Sequence, residues 1–294
     1  MELRQLEYFQ AALRAGNITR ASEALHVSQP SVTVAIKKLE GELGVSLLDR
    51  SGKRIVPTAE GRVFIGRVDA ILSAVADAAA EMRDHQALLR GSIRIGITPM
   101  MGAILFPDLF ARFRREHPDF KISLVEEGTL SLQAHLEKGE IDIGIMVISD
   151  LPSGLSSLSL DQGRMMACLR PGHPLAEYAE IPFGLLKDQP FILFQGDTYS
   201  RQLILRECER FRFSPNVVFS SSQIGTVMGL VRQGAGIAFF MEELTREFLT
   251  KDQESIVVRP LADPLLLEVG LAWNPERYLS KAARAFIDSI KPSR

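Results

Sequence analysis

Apolar residues in the first sixty positions recur at steps of three and four, the period of a helix face, before the rhythm changes. Leu3, Leu6, Phe9 and Leu13 predict a first helix, which Gly16 ends. Asn17 or Thr19 can cap a short second helix with Ala21 and Leu25 on its buried side. Ser28 caps a third, and Pro30 falls in its first turn, where a missing N–H does no harm. Val27 and Val32 flank that cap as a hydrophobic staple. Within the third helix Val32, Ile36, Leu39 and Leu43 predict a buried stripe, so Gln29, Thr33 and Lys37, at i, i+4 and i+8, point outward. The segment LLDRSGKRIVPTAEG then reads as a β-hairpin, two short apolar pieces about the turn RSGKR.

Thr58 can cap a long helix that runs to about Leu88 without a proline. Phe64, Val68, Ile71, Val75, Ala78 and Met82 alternate steps of four and three, the 3.5-residue period of a coiled-coil seam. A helix of about 30 residues would reach ~45 Å, enough to join two copies of the chain. From GSIRIGI onward short strands alternate with helices, which predicts βαβ units and a parallel sheet. Two α/β lobes are expected: lobe I from 91–162 with 266–294, lobe II from 163–265, the chain crossing near Asp161 to Gly163 and Ala262 to Leu266. The predicted organisation is a head over 1–60, a linker helix over 58–90 and a two-lobed domain over 91–294.

With 294 residues, 46% hydrophobic and 24% charged, the chain is long enough for more than one core. Its net charge of -2 argues against coating nucleic acid by bulk charge, so a DNA contact must come from a local patch. Arg50, Lys53 and Arg54 on the hairpin supply one. No apolar run reaches the ~18 residues of a membrane span, and MELRQLEYFQ does not look like a signal peptide, so a cytoplasmic protein is expected. Cys168 and Cys208 have no CxxC partner and are expected as buried free thiols. There is no GxSxG, P-loop or HExxH motif, and His26, His85, His117, His135 and His173 are scattered. Gly234 and Gly236 follow a helix instead of opening one, so no dinucleotide fingerprint forms. No catalytic residue, metal or cofactor is predicted.

Two sets of residues carry candidate chemistry. The Gln29 amide can pair with adenine N6 and N7, and Ser or Thr can meet a thymine edge, although the same row also suits a solvated helix face. In open α/β sheets ligands lie beyond the strand ends, where helix N-termini offer N–H groups to anions. Thr98 with Pro99, Thr129, Thr198 with Ser200, and Ser221 with Ser222 mark four predicted helix starts, two from each lobe. Converging on one cleft, they would suit a small organic anion, and Arg201 could add a bidentate contact. Met100, Met101, Phe194 and Tyr199 fit either an apolar wall or the core.

The run from Leu3 to Gly61 resembles the DNA-binding domain of LysR-type transcriptional regulators, through its SQPS helix start, LExxLG helix end, LxxR wing approach and TxxG close. GEIDIGI and GAGIAFF extend the resemblance to the family's effector domain. The fold it implies is α/β with an N-terminal all-α winged helix-turn-helix domain, a long linker helix and a two-lobed domain built like a periplasmic binding protein. It implies that Ser28, Gln29, Pro30, Ser31 and Thr33 meet the major groove of double-stranded DNA, with Arg50, Lys53 and Arg54 at the backbone. It also implies pairing through the linker helix into a homodimer or homotetramer, an effector pocket on Thr98, Thr129, Gln195 and Thr198, and RNA polymerase as a further partner. Val34, Ala35, Leu48 and Pro57 depart from residues frequent in the family. A cytosolic solute-binding protein would explain the back lobes alone, and a metabolite-processing enzyme is the other rival; the winged head and pairing helix favour a regulator.

Overall fold

Asn17 settles where the first two helices part: its Oδ1 accepts from Thr19 N at 2.7 Å and Arg20 N at 3.2 Å, satisfying two N–H groups that helix α2 (Ile18–Ala24) leaves open. Helix α1 (Leu3–Ala15) ends at left-handed Gly16. Helix α3 (Gln29–Leu43) starts at Ser28, whose Oγ accepts from Ser31 N at 3.3 Å, with Pro30 in the first turn. The computed structural model describes residues 1–52, 54–86, 91–249 and 255–290, in two compact units, Met1–Arg83 and Asp84–Arg294.

In the first unit Leu6, Phe9, Ala12, Ala21, Val32, Ile36 and Leu39 form the centre of the core. Leu43, expected on the same stripe, is 38% exposed, because the last turn of α3 runs past the core cluster. Strands β1 (Leu48–Asp49) and β2 (Val56–Pro57) pair antiparallel as the wing. Thr58 binds the wing to helix α4 (Ala59–Gln86): its hydroxyl donates to Ser46 O at 2.7 Å and accepts from Gly61 N at 2.9 Å. A Cβ on Gly61 would lie 2.0 Å from Leu47 O, so only glycine permits this approach. The expected pairing seam on α4 is divided. Val68 is fully buried, Phe64 and Ile71 pack against the head's core, and the Phe64 ring lies 5.7 Å from that of Phe9. Farther along, Val75, Ala78 and Met82 are exposed. The first half of the heptad pattern therefore serves the chain's own core.

The second unit begins with β3 (Ser92–Ile97), α5 (Pro99–Ile104), α6 (Phe106–Glu116), β4 (Lys121–Glu126), α7 (Thr129–Lys138) and β5 (Ile143–Val147). β3 pairs parallel with both β4 and β5, as the alternation predicts. The remainder is not parallel. β6 (Ser156–Leu169) passes from one lobe into the other, so the expected crossing at Asp161 to Gly163 lies inside a strand. Its first part pairs antiparallel with β11 (Leu266–Trp273), and Met165–Leu169 pair with β9 (Ala238–Met241) and β10 (Val257–Pro260). Burial follows this change of neighbours: the first residues alternate between partly buried and exposed, while Met165 to Leu169 are all buried. MMACLR is thus the second half of a strand and does not begin a new one.

β11 also pairs antiparallel with β5, which makes the first lobe's sheet mixed. Helix α11 (Lys281–Ile290) packs on α6 and β3, returning the C-terminal segment to that lobe. In the second lobe β7 (Pro190–Leu193) pairs parallel with β8 (Asn216–Ser220). Helices α8 (Tyr199–Arg210) and α9 (Ile224–Arg232) pack there, and α10 (Glu242–Leu249) follows β9 and reaches α5 of the first lobe. Cys168 and Cys208 are free and buried; burial pushes both thiols up, Cys208 to about 12.

Candidate DNA interface and effector cleft

At 3.6 residues per turn, the direction opposite to the buried Val32, Ile36 and Leu39 of α3 is occupied, within about 50°, by Pro30, Val34 and Lys37. The predicted row of Gln29 and Thr33 lies along one flank of this ridge. Ser28, Gln29, Pro30, Ser31 and Lys37 are exposed, and Thr33 is half-buried. The Ser28 and Ser31 hydroxyls are 2.7 Å apart. Thr33 Oγ1 donates back to Gln29 O at 3.1 Å, so its proton is engaged within the helix, and its methyl and the acceptor side of its oxygen are left for a partner. Val34, which sequence reasoning noted only as a departure, is 65% exposed. Its place four residues after Pro30 was the available signal.

The wing basics differ in their surroundings. Arg50 Nη2 donates to Glu40 Oε2 at 3.0 Å, while Glu40 Oε1 accepts from Leu47 N at 2.8 Å and Leu48 N at 3.1 Å. Arg50 and Glu40 thereby fasten the wing to the end of α3, a role the sequence did not suggest. Arg54 is exposed and lies over Gly16, and Ile55 N donates to Gly16 O at 2.9 Å. Lys53 lies outside the described residues.

In the second unit Thr98, Pro99, Met100, Met101, Thr129, Val147, Phe194, Thr198, Tyr199 and Ser200 line a cleft with ≈ 300 Å³ of empty space, its open mouth included. It sits at the carboxyl ends of β3, β5 and β7, where the starts of α5, α7 and α8 meet. Thr98, Thr129, Thr198 and Ser200 are all buried, as are Met100, Met101 and Phe194. Among the described residues, none that lines this space is charged.

Several assignments change. Thr129 is the first residue of α7, with Gly128 as the cap, and its Oγ1 accepts from Tyr199 N at 3.4 Å across the cleft. Thr198 Oγ1 donates to Gln195 O at 3.0 Å, while Gln195 itself is exposed and away from the lining. Helix α9 begins after Gln223 instead of Ser221 or Ser222; Ser221 Oγ accepts from Gln223 N at 3.0 Å, outside the cleft. Arg201 lines a neighbouring space with Met165, Ile192 and Phe239, and its Nη1 donates to Phe194 O at 2.8 Å and Ser220 Oγ at 3.0 Å. The guanidinium is therefore committed to holding β7 and β8.

Asp197 is the residue that sequence reasoning missed. Ser131 Oγ donates to its Oδ2 at 2.7 Å and Leu130 N to its backbone O at 3.2 Å. The carboxylate lies over Gly128, where an added Cβ would be 2.2 Å from its carbon. The second lobe thus places its own anion at the positive end of α7. Among the described residues no group of His, Cys, Asp or Glu could hold a metal, and no helix is long and apolar enough to cross a membrane.

The family model of the bacterial regulatory helix-turn-helix proteins, lysR family, matches residues 3–62, and that of the LysR substrate binding domain matches residues 86–293. The HTH-type transcriptional regulator YwbI of Bacillus subtilis is 32% identical over 292 residues, spanning 99% of the present chain and 96% of YwbI. A solved variant of full-length OxyR from Pseudomonas aeruginosa has 25% identity and a TM-score of 0.68, covering 99% of this chain and 95% of its own. Full-length CbnR in complex with its target DNA shares the fold at 20% identity, with a TM-score of 0.64 and 99% coverage of both chains.

Proposed function

The chain belongs to the LysR family of transcriptional regulators, and from that premise we propose that α3 and the wing hold operator DNA while the cleft between the lobes takes a small organic anion as effector. The family is one of DNA-binding regulators with an effector-binding domain, not of enzymes. On the DNA side the carrying observation is that α3 buries Val32, Ile36 and Leu39 and exposes Ser28, Gln29, Ser31 and Lys37 together. Arg50 sets the wing through Glu40, and Lys53 and Arg54 meet phosphates. CbnR, which shares the fold, is solved in complex with its target DNA, and this supports DNA as the partner. The exposed Val75, Ala78 and Met82 are the part of α4 free to pair two copies in the cytoplasm, as a homodimer or homotetramer.

On the effector side the carrying observation is the meeting of four buried hydroxyl side chains, Thr98, Thr129, Thr198 and Ser200, beside Met100, Met101 and Phe194. With Asp197 already at α7, a ligand carboxylate belongs at the start of α8, near Ser200, and its apolar body lies on the two methionines. The test is a thermal-shift screen of the full chain with small carboxylates and their matched primary amides. Carboxylates are expected to raise the melting temperature of wild type and to lose that effect in Ser200→Ala. Equal shifts by acids and amides would overturn the anion assignment. Selection of a preferred duplex from a random pool tests the DNA assignment separately, and no enrichment would overturn it.

A further inference from the structure

We propose that Val34, together with the methyl group of Thr33, is a specificity-determining surface that reads the C5-methyl of thymine. This rests on the reading of α3 as the DNA-facing helix. Val34 is 65% exposed on the outermost ridge of α3, four residues after Pro30, and is not among the apolar residues of the head's core. A β-branched residue on an exposed helix face adds nothing to helix propensity. Thr33 lies beside it with its hydroxyl turned to Gln29 O, so an apolar strip of valine and threonine methyls adjoins Pro30.

That strip is framed by Gln29, Ser31 and Lys37, all exposed. The core of a protein interface is depleted of charged residues, whereas a major groove offers acceptors, donors and phosphates around an isolated methyl. Thymine is the one standard base that presents an apolar group there. Gln29 on the flank has the amide geometry for adenine N6 and N7. The geometry therefore points to A·T pairs at neighbouring positions of each half-site, read from two sides: the amide takes an adenine edge and the methyl strip takes a thymine.

The experiment uses the full chain and an operator selected from random duplexes, in which each thymine is replaced in turn by deoxyuridine, removing one methyl and leaving every hydrogen-bonding group. At one or two positions per half-site wild type should lose about three- to fivefold in affinity, the effect of one buried carbon. In Val34→Ala the same replacements should cost less than about twofold, while Val34→Thr, which keeps one methyl, falls between them. Val34 is surface-exposed, so unchanged melting curves are expected and verify folding. A uniform tolerance of deoxyuridine, or an equal penalty in wild type and Val34→Ala, overturns the proposal while leaving α3 as the reading helix. Failure to select any operator overturns both.

Discussion

The face proposed to read DNA and the cleft proposed to take an effector are built on opposite principles. The first is convex and contiguous: fifteen residues of one helix supply both the buried stripe and the outward ridge, and a fixed 3.6-residue period assigns each side chain to one or the other. The cleft is concave and assembled from the ends of separate strands and helices, with Thr98 after β3 of one sheet and Ser200 after β7 of another brought together only by the tertiary fold. A periodic site can be read from a stretch of sequence. An assembled one depends on which strand lies beside which, and its hydrogen bonds join residues as far apart as Ser131 and Asp197.

The sharpest way to break this comparison is to damage one unit's core. Ile36 is fully buried in the head, and Ile36→Ala should destabilise that unit by about 2–5 kcal/mol. Differential scanning calorimetry is expected to show the head unfolding earlier with the larger unit's transition unmoved; equal downward shifts of both would mean that the two units do not unfold separately. Next in size, Gln29→Ala should cost about 1–3 kcal/mol at the preferred operator and relax base choice there. Lys53→Ala should instead weaken all sequences alike and lower the salt slope by roughly one. Identical behaviour of the two variants across operator mutants and salt would remove the division between base reading and phosphate holding.

A smaller effect is expected at the cleft. Asp197 Oδ2 accepts from the Ser131 hydroxyl of α7 across the lobes, whereas the bond from Leu130 N goes to the Asp197 backbone and survives substitution; losing one side-chain hydrogen bond costs about 0.5–1.5 kcal/mol. Asp197→Ala should lower the larger unit's stability by that amount and raise amide exchange at Leu130 to Leu132, with Asp197→Asn recovering part of the loss because it can still accept from Ser131. Unchanged exchange in Asp197→Ala would show that α7 does not rely on this residue. The exposed pair Arg206–Asp150 also spans the lobes, at 2.7 Å, but both side chains are more than half exposed and screened by solvent.

Most of the head was legible because its signals are local. The caps at Asn17, Ser28 and Thr58, the stop at Gly16 and the core stripe each involve residues a few positions apart. What escaped there was the choice made by long side chains, such as Arg50 turning to Glu40, and the end of the stripe at Leu43. In the effector domain strand and helix positions were largely legible from alternating segments, but strand direction was not. Nothing in LLLEVGLAW distinguishes an antiparallel from a parallel neighbour, and only the buried second half of β6, from Met165, reads as a strand because its burial changes midway. The cleft was half legible for the same reason. Thr98, Thr129 and Thr198 mark helix starts by local chemistry, whereas excluding Gln195, Arg201 and Ser221 and finding Val147 and Asp197 required the tertiary contacts.

The smallest effect is a dependence on pH confined to the larger unit. His135 on α7 faces Glu140 Oε2 at 2.5 Å through Nδ1 and Glu127 Oε2 at 3.0 Å through Nε2. Burial lowers its pKa, but the hydrogen bonds to Glu140 and Glu127 and the two carboxylate charges outweigh burial and hold the pKa above the ordinary histidine value of about 6.5. The folded unit therefore binds the proton more tightly than the unfolded chain does. The resulting stabilisation is complete below about pH 6.5 and is lost as pH rises through the raised folded value. Urea unfolding of wild type between pH 6 and 8.5 should show the larger unit losing this increment, and His135→Gln, which cannot titrate, should flatten that part of the profile. Parallel profiles for wild type and His135→Gln would place the proton elsewhere and leave the two regions alike in their response to pH.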